Sequence, residues 1–238
     1  MYEKGIEYYN KGEYSRSLAL MDRVKSFSTY SIGSKRAQTI AYYRAYSTYG
    51  KGFNEAAAEL FKQFIAAYPE SPYYEECLYM VGYCYYKCSP RALLDQKMSK
   101  QAIEYLGLFK SRFPASEKIP DVEKYIAELF DKISYKAFLS ASNYYDREKY
   151  KSAVTMLTNS IKEYPQSSYR EEMMNMLFCS KFYLAENSVD DKRLERAYAA
   201  QEEYFYFKEE FPESRFLNDM AVKMKKIDGY IKNYKFED

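Results

Sequence analysis

The chain has 238 residues, with 36 lysines and arginines against 34 aspartates and glutamates, a formal net charge of +2, and neither histidine nor tryptophan. Basic and acidic residues are interspersed and no glycine-rich phosphate loop or aromatic RNA motif occurs, which argues against nucleic acid as a partner; the lack of histidine removes the usual general base and the commonest metal ligand together. Only 8 glycines, no alternating strand pattern and no apolar run near the ~18 residues of a membrane span leave an all-helical, soluble chain.

Its organisation is written in a repeat. An aromatic residue, proline, any residue and serine recur as Tyr68-Pro69-Glu70-Ser71, Phe113-Pro114-Ala115-Ser116, Tyr164-Pro165-Gln166-Ser167 and Phe211-Pro212-Glu213-Ser214, with the prolines 45, 51 and 47 residues apart. Twelve residues before each proline stands Ala57, Ala102, Ala153 or Ala200, and eight before it Phe61, Leu106, Leu157 or Tyr204. The pattern reads as a helix whose small residue admits a neighbouring backbone, whose large one fills the gap, and which proline ends; the serine is expected to cap the next helix. An upstream small-x-x-Tyr pair completes the tetratricopeptide pattern. The expected fold is therefore an all-α, tetratricopeptide-like superhelical solenoid of about five helical hairpins plus a C-terminal capping helix.

In chain order, the hairpins are predicted over 1-28, 34-69, 72-114, 117-165 and 168-212, followed by a helix over 214-234. The first carries Gly5/Tyr8, with the small residue twelve before Ser17 in the alanine slot. The second lacks a small-x-x-Tyr pair, and its Gly50-Lys51-Gly52 connection looks irregular. The third, with Gly82/Tyr85, and the fifth, with Ser180/Tyr183, each hold eight extra residues between their helices. In the fourth, Ala141/Tyr144 lies on a helix predicted to run over about 121-146, with the apolar stripe Val122, Ile126, Leu129, Ile133, Ala137, Ala141 and Tyr144; the alternative is a turn near Ser134. That long helix is expected to join an N-terminal domain, 1-116, to a C-terminal one, 117-238. The last helix has a stripe of Leu217, Met220, Met224, Ile227, Ile231 and Tyr234 that fits a cap on the array.

Candidate binding residues lie outside these packing columns. In the helix after Pro72, Tyr79, Tyr83, Tyr86 and Lys87 form a second stripe at i, i+4, i+7, i+8; they either line a peptide groove or pack on adjacent hairpins, and Tyr135, Phe138 and Tyr145 take equivalent places in the fourth unit. On the last helix Lys223, Lys225, Lys226, Lys232 and Lys235 outnumber Asp219, Asp228, Glu237 and Asp238, a basic face that suits partner docking or simple solvation. Cys77, Cys84 and Cys88 share one side of one helix; their spacing suits neither a zinc site nor a disulfide, so small buried core residues are the reading. No carboxylate pair stands out from the charged faces. Neither catalytic residues, a metal site nor a cofactor is expected.

One further set of residues points to a family. Tyr68-Pro69-Glu70-Ser71-Pro72-Tyr73, Leu78-Tyr79-Met80-Val81-Gly82, the Asp95-Gln96 pair before Ser99 and Ala102, and Phe113-Pro114-Ala115-Ser116 together resemble the BamD (YfiO) family of outer-membrane assembly lipoproteins. The resemblance implies a non-enzymatic scaffold at the periplasmic face of the outer membrane. It implies a BamA-type barrel protein as partner of the C-terminal repeats, and the C-terminal segments of unfolded outer-membrane barrel proteins as clients of the N-terminal ones. Tyr43, Arg36 and Arg44, with Tyr79, Tyr83, Tyr86 and Lys87, would then form a groove for an aromatic side chain and a carboxylate. The family's lipoprotein signal and acylated cysteine are not in this sequence, so membrane contact is expected only through an upstream lipid anchor. Two rival functions are a different envelope scaffold of the same repeat type, with an unrelated protein partner, and a glycan-binding uptake lipoprotein, which the lack of tryptophan disfavours.

Overall fold

Two kinds of turn, each used repeatedly, join most of the described helices. The computed structural model describes residues 1–27 and 34–234, and these form eleven helices. They are α1 (Tyr2–Asn10), α2 (Tyr14–Phe27), α3 (Lys35–Gly50), α4 (Asn54–Ala67), α5 (Tyr74–Cys88), α6 (Lys97–Arg112), α7 (Ile119–Asp146), α8 (Tyr150–Glu163), α9 (Arg170–Glu186), α10 (Asp190–Glu210) and α11 (Leu217–Tyr234). The fold is all-helical and tetratricopeptide-like, each helix packing on the next in sequence. The chain divides into two compact units, Met1–Leu129 and Phe130–Asp238. In the first, α1 to α6 pack pairwise in order; in the second, α8 to α11 do so. Helix α7 is one α-helix from end to end, with Ser134 inside it donating to the Asp131 carbonyl at 3.0 Å.

In three of the hairpins the inner turn is a Schellman closure. After α1, Gly12 adopts φ +75, its N–H bonds the Tyr9 carbonyl at 2.9 Å, and the Glu13 N–H reaches back to the Tyr8 carbonyl at 2.8 Å. The same pair of bonds follows α3, with Gly52 at φ +83, and α7, with Glu148 at φ 57. Each leaves one residue left-handed, which glycine adopts without strain. This overturns the expectation of an irregular Gly50-Lys51-Gly52: it is the ordinary turn of the array. It also locates the missing small residue of the second unit. Ala45 stands seven residues before Gly52, as Gly5 does before Gly12 and Ala141 before Glu148, and all three are buried. Thr48 simply replaces the tyrosine.

From the second hairpin onward, the turn after each hairpin is the aromatic-Pro-x-Ser motif. Proline forbids helical backbone to the residue before it, and Tyr68, Phe113, Tyr164 and Phe211 answer alike, with φ from −135 to −125 and ψ from 60 to 68. Each aromatic carbonyl then accepts from the serine N–H three residues on, at 3.1 to 3.2 Å. The serine is not the cap that was expected. Its hydroxyl accepts from the N–H two residues later, in Tyr73, Lys118, Tyr169 and Phe216. Its carbonyl takes the N–H of the residue after that, Tyr74, Ile119, Arg170 or Leu217. Serine thus closes one turn and opens the next, and the following helices α5 and α9 begin on Tyr73 and Tyr169 without a side-chain cap.

Ala57, Ala102, Ala153 and Ala200 are fully buried, as are Phe61, Leu106 and Leu157; Tyr204 is only partly so. In the first unit Ser17 fills the alanine slot, and its hydroxyl accepts from Ser47 at 3.0 Å, which satisfies a buried polar group. A further column went unread in the sequence. Five residues before each proline stand Phe64, Phe109, Ser160 and Phe207, all buried; each phenylalanine contributes ~1.5–3 kcal/mol by leaving water. On α7 the predicted stripe holds through Ala141, but Tyr144 is 42 % exposed and Tyr145 packs inward instead.

The two eight-residue insertions differ in kind. In the third unit, residues 89–96 form a loop built around one buried side chain. The Gln96 Nε2 donates to the carbonyls of Arg91, Ala92 and Leu94 at 2.9 to 3.1 Å, while its Oε1 accepts from Ser99 at 2.7 Å. In the fifth, the extra residues lengthen α10 at its start, where Arg196 donates to the hydroxyl of buried Ser188.

Candidate functional site

The sequence placed its best candidates on α5, and the structure sets them in an aromatic sheet that spans α1, α3, α5 and the first half of α7. Helices α3 and α5 run parallel, since Tyr42 meets Tyr73 at 4.5 Å between ring centroids and Tyr49, a turn or two further on, meets Tyr83 at 6.3 Å. Along α5, Tyr79 and Tyr83 stack at 5.7 Å, and Tyr83 and Tyr86 at 6.1 Å. Tyr125 of α7 closes the row, 4.4 Å from Tyr86 and 5.5 Å from Tyr83. These four rings are half-buried. The stripe therefore packs on neighbouring helices and still shows one flank to solvent.

Its polar edges are defined. The Tyr86 hydroxyl donates to Glu128 at 2.5 Å, and that bond, with burial second, pushes its pKa up to about 12. Burial does the same for Tyr49 and drives Tyr79 higher still. At neutral pH Tyr49, Tyr79 and Tyr86 are uncharged. A cation borders it: the Lys118 ammonium lies 4.9 Å from the Tyr79 centroid. Lys87 is exposed at the end of the row. Further back, Glu76 accepts from Tyr42 at 3.0 Å and from Tyr46 at 2.6 Å, tying α5 to α3.

The remaining groove candidates sit elsewhere. Tyr43 packs edge-on against Tyr9, at 5.0 Å. Arg36 lies over the Tyr2 ring, at 4.9 Å. Arg44 donates to Asp22 at 2.6 Å and lines, with Lys25, Leu60, Phe64 and Tyr68, a cavity of about 320 Å³ between α2, α3 and α4. Tyr79, Tyr83, Tyr86 and Lys87 are thus one surface, while Arg36, Tyr43 and Arg44 are not part of it. Reading the sequence missed Tyr49, Lys118 and Tyr125. The signal was present for Tyr125, because Tyr125-x-x-Glu128 repeats the spacing of Tyr83-x-x-Tyr86. In the second unit, Tyr135 and Phe138 pack on Tyr169, and Tyr145 contacts Tyr183.

The basic residues of α11 also separate. Lys223 is turned in, its side chain only 16 % exposed, and pairs with Asp219. Lys226 reaches Glu186 of α9 at 3.1 Å. Lys225 and Lys232 are exposed. Lys235, Glu237 and Asp238 lie outside the described residues, as does the Tyr234 side chain; of the rest of the predicted stripe, Met220, Met224, Ile227 and Ile231 are buried against α9 and α10 and Leu217 is partly buried.

Cys77, Cys84 and Cys179 are buried, and Cys88 partly so, all as free thiols. Burial pushes Cys84 up to about 12, far from a reactive thiolate. Among the described residues no cluster of acids and cysteines could hold a metal, and no helix is long and apolar enough to cross a membrane.

A family model described as YfiO, outer membrane lipoprotein, matches residues 1–194, which takes in α1 to α9 and the start of α10. The chain belongs to the YfiO family. No curated protein matches it significantly. Among solved structures it is similar to the TPR2AB domain of yeast Sti1 in its pHSP90 complex, at 15% identity over 94% of this chain and 95% of that one, with a TM-score of 0.39. It is also similar to a thermophilic TPR protein of Thermus thermophilus, at 17% identity over 94% and 95%, TM-score 0.36. A third likeness is to nearly identical TPR-like repeats from Podosopora anserina, at 14% identity over 84% and 92%, TM-score 0.39.

Proposed function

We propose that this YfiO-family chain is a non-enzymatic scaffold of outer-membrane barrel assembly. Its first unit receives the C-terminal segment of an unfolded barrel protein, and its second unit holds a periplasmic domain of a BamA-type barrel protein, while an upstream lipid keeps it at the periplasmic face. The observation that carries the reading is the family match over residues 1–194. What supports a place for the client is a row of stacked tyrosines with ammonium groups at Lys118 and Lys87. An extended peptide ending in an aromatic ring and a carboxylate needs that pairing, stacking area beside a charge-assisted donor. Arg44 has no part in it, because Asp22 already holds its guanidinium on another wall.

The test is calorimetric. Tyr83→Ala combined with Lys87→Asp is expected to weaken binding of a barrel-protein C-terminal peptide by about tenfold or more, in line with the loss of one aromatic contact and one charge, with the melting temperature nearly kept. Equal affinity in the native and double-variant proteins would assign the row to packing alone. Affinity purification from the source envelope, read by mass spectrometry, tests the BamA-type partner separately.

A further inference from the structure

In the second unit α9, α10 and α11 pack on one another, and the side that α10 and α11 turn away from α9 carries a pattern that the peptide row does not use. On α10 Glu195, Glu202 and Glu209 are exposed. They follow one another at seven-residue intervals and so stand nearly in line, drifting only ~20° per step. Tyr198 and Phe205, 42 % and 56 % exposed, repeat the same interval three residues later, while Ala197, Ala200 and Phe207 on the opposite side are fully buried. On α11 exposed Lys225 and Lys232 also lie seven apart, opposite buried Met220 and Ile227.

Side contacts orient these rows. Gln201 donates to Asp228 of α11 at 3.1 Å, and Glu203 accepts from Lys181 of α9 at 2.6 Å. The two lie roughly 100° to either side of Glu202, so Glu202 points away from both neighbours, and Tyr198 and Phe205 lean toward α11. Lys225 likewise stands between Asp228, on the α10 side, and Lys226, which bonds Glu186 of α9. The helices are antiparallel, since Arg193 meets Tyr230 where Gln201 meets Asp228. Counting from that bond, Lys225 is within about 3 Å of the level of Glu202, and Lys232 of the level of Glu195. The surface therefore carries three rows side by side: carboxylates, rings, ammonium groups. Of the other charges, Glu203, Glu210, Lys223 and Lys226 are held in ion pairs, and Lys192 and Lys208 stand roughly 80° and 120° round α10 from Glu202.

An acidic row beside a basic row at matched levels is self-complementary. Turning a second copy by a half-turn, about an axis that lies in this surface parallel to the helices, keeps every level and exchanges the two rows. Glu202 then meets the second copy's Lys225, Glu195 meets its Lys232, and rings meet rings; each pair occurs twice, as in any isologous contact. A partner of one charge sign, or an anionic bilayer, would be drawn to one row and repelled by the other. We propose that the chain forms a two-fold dimer through this face of α10 and α11. The rows run only about 21 Å from Glu195 to Glu209, so the dimer is a weak, reversible one. It rests on neither part of the proposed function, although a BamA-type domain bound at Lys225 and Lys232 would displace the second copy.

Sedimentation equilibrium of the purified 238-residue chain, over a wide range of concentration at low and at high salt, tests this with no other protein present. The expected result is a monomer–dimer equilibrium that weakens as salt screens the rows. Glu202→Lys and Lys225→Glu, both at exposed positions, should each lower dimer affinity about tenfold or more, because each places like charges together twice in the dimer. Circular dichroism confirms that both variants keep the fold. Mixed in equal amounts, the two single variants should associate with each other more tightly than either does with itself, since Lys then faces Glu at both pairs. The double variant should regain self-association for the same reason. A chain that stays monomeric at every concentration overturns the proposal. So does a dimer that neither single variant weakens, or a mixture that recovers nothing.

Discussion

Gly82 and Gly107 lie in adjacent packed helices, and the same substitution at each should have opposite consequences. A Cβ on Gly82 would stand 2.7 Å from the Cγ and Cδ2 of Leu106 and 3.0 Å from the Leu106 backbone nitrogen. Carbon pairs are comfortable near roughly 3.5–4.0 Å, and neither Cγ nor backbone nitrogen is the free end of a flexible chain, so α6 itself must move away from α5. Overpacking of this kind costs about 1–3 kcal/mol. A Cβ on Gly107 would meet nothing within 4 Å. Both glycines are inside helices, so alanine contributes the same ~1 kcal/mol of helix propensity at each, and the difference between the two variants isolates the clash. Gly107→Ala should raise the urea midpoint, and Gly82→Ala should lie about 1–3 kcal/mol below it. Trimming the obstacle checks the cause: in a Leu106→Ala background, itself destabilised by about 2–5 kcal/mol, Gly82→Ala should be close to neutral. Urea unfolding followed by circular dichroism reads all four proteins. If Gly82→Ala and Gly107→Ala shift the midpoint alike, α5 and α6 do not approach as closely as the packing argument requires.

Among the described residues Glu148 is the one non-glycine of three left-handed turn residues, so Glu148→Gly should stabilise by about 1 kcal/mol and Gly52→Ala should destabilise by a similar amount, read from thermal melts. Alkali should unfold the chain in a defined window. The hydroxyls of Tyr49, Tyr85 and Tyr86 are pushed up to about 12, and those of Tyr42, Tyr46 and Tyr79 further. The fold retains protons that the unfolded chain releases near pH ~10, so stability holds below about pH 10 and falls as pH rises through about 12; melts from about pH 9 to 12, with tyrosinate absorbance, check this. On α11, reversal is best made at Lys225 and Lys232, since Lys226 already bonds Glu186. Lys225→Glu with Lys232→Glu should slow association with a BamA-type periplasmic domain and flatten its salt dependence; unchanged association rates at low and high salt would leave α11 a cap only.

Most of the fold was legible because its information is local and repeated. A proline at a fixed offset bars helical backbone to the residue before it, and Tyr68, Phe113, Tyr164 and Phe211 leave the helix with nearly identical backbone angles. The errors arose where the repeat was matched by residue type and not by backbone role. Ala45 was overlooked because Thr48, not tyrosine, follows it, although it lies twelve residues before Ala57 like the small residues of the first and fourth units. Its Gly50-Lys51-Gly52 turn looks irregular in sequence, yet only Gly52 needs its φ. Glu148 shows the converse, a left-handed residue that carries no glycine to announce it.

The candidate site was harder to read, for a physical reason. A helical stripe identifies which side chains share a face, but in an array where every first helix lies beside the next, one face can be both contact and surface. Tyr79, Tyr83 and Tyr86 read as free of the α5 core stripe, and they are; yet Tyr49 and Tyr125, far away in sequence, cover one flank of the row. The same blindness scattered the cations. Arg44 and Tyr49 stand five residues apart on α3, and that is enough to send one toward Asp22 and the other toward Tyr83. What decides the matter is the azimuth around α3, about 100° per residue, and at about 3.6 residues per turn Arg44 and Tyr49 differ by roughly 140°. The cation that lies against the tyrosine row is Lys118, at the start of the next hairpin, where one aromatic-Pro-x-Ser turn ends and α7 begins. A ligand reading the row would touch residues from two hairpins at once, which is the form of recognition that stacked helical repeats make available.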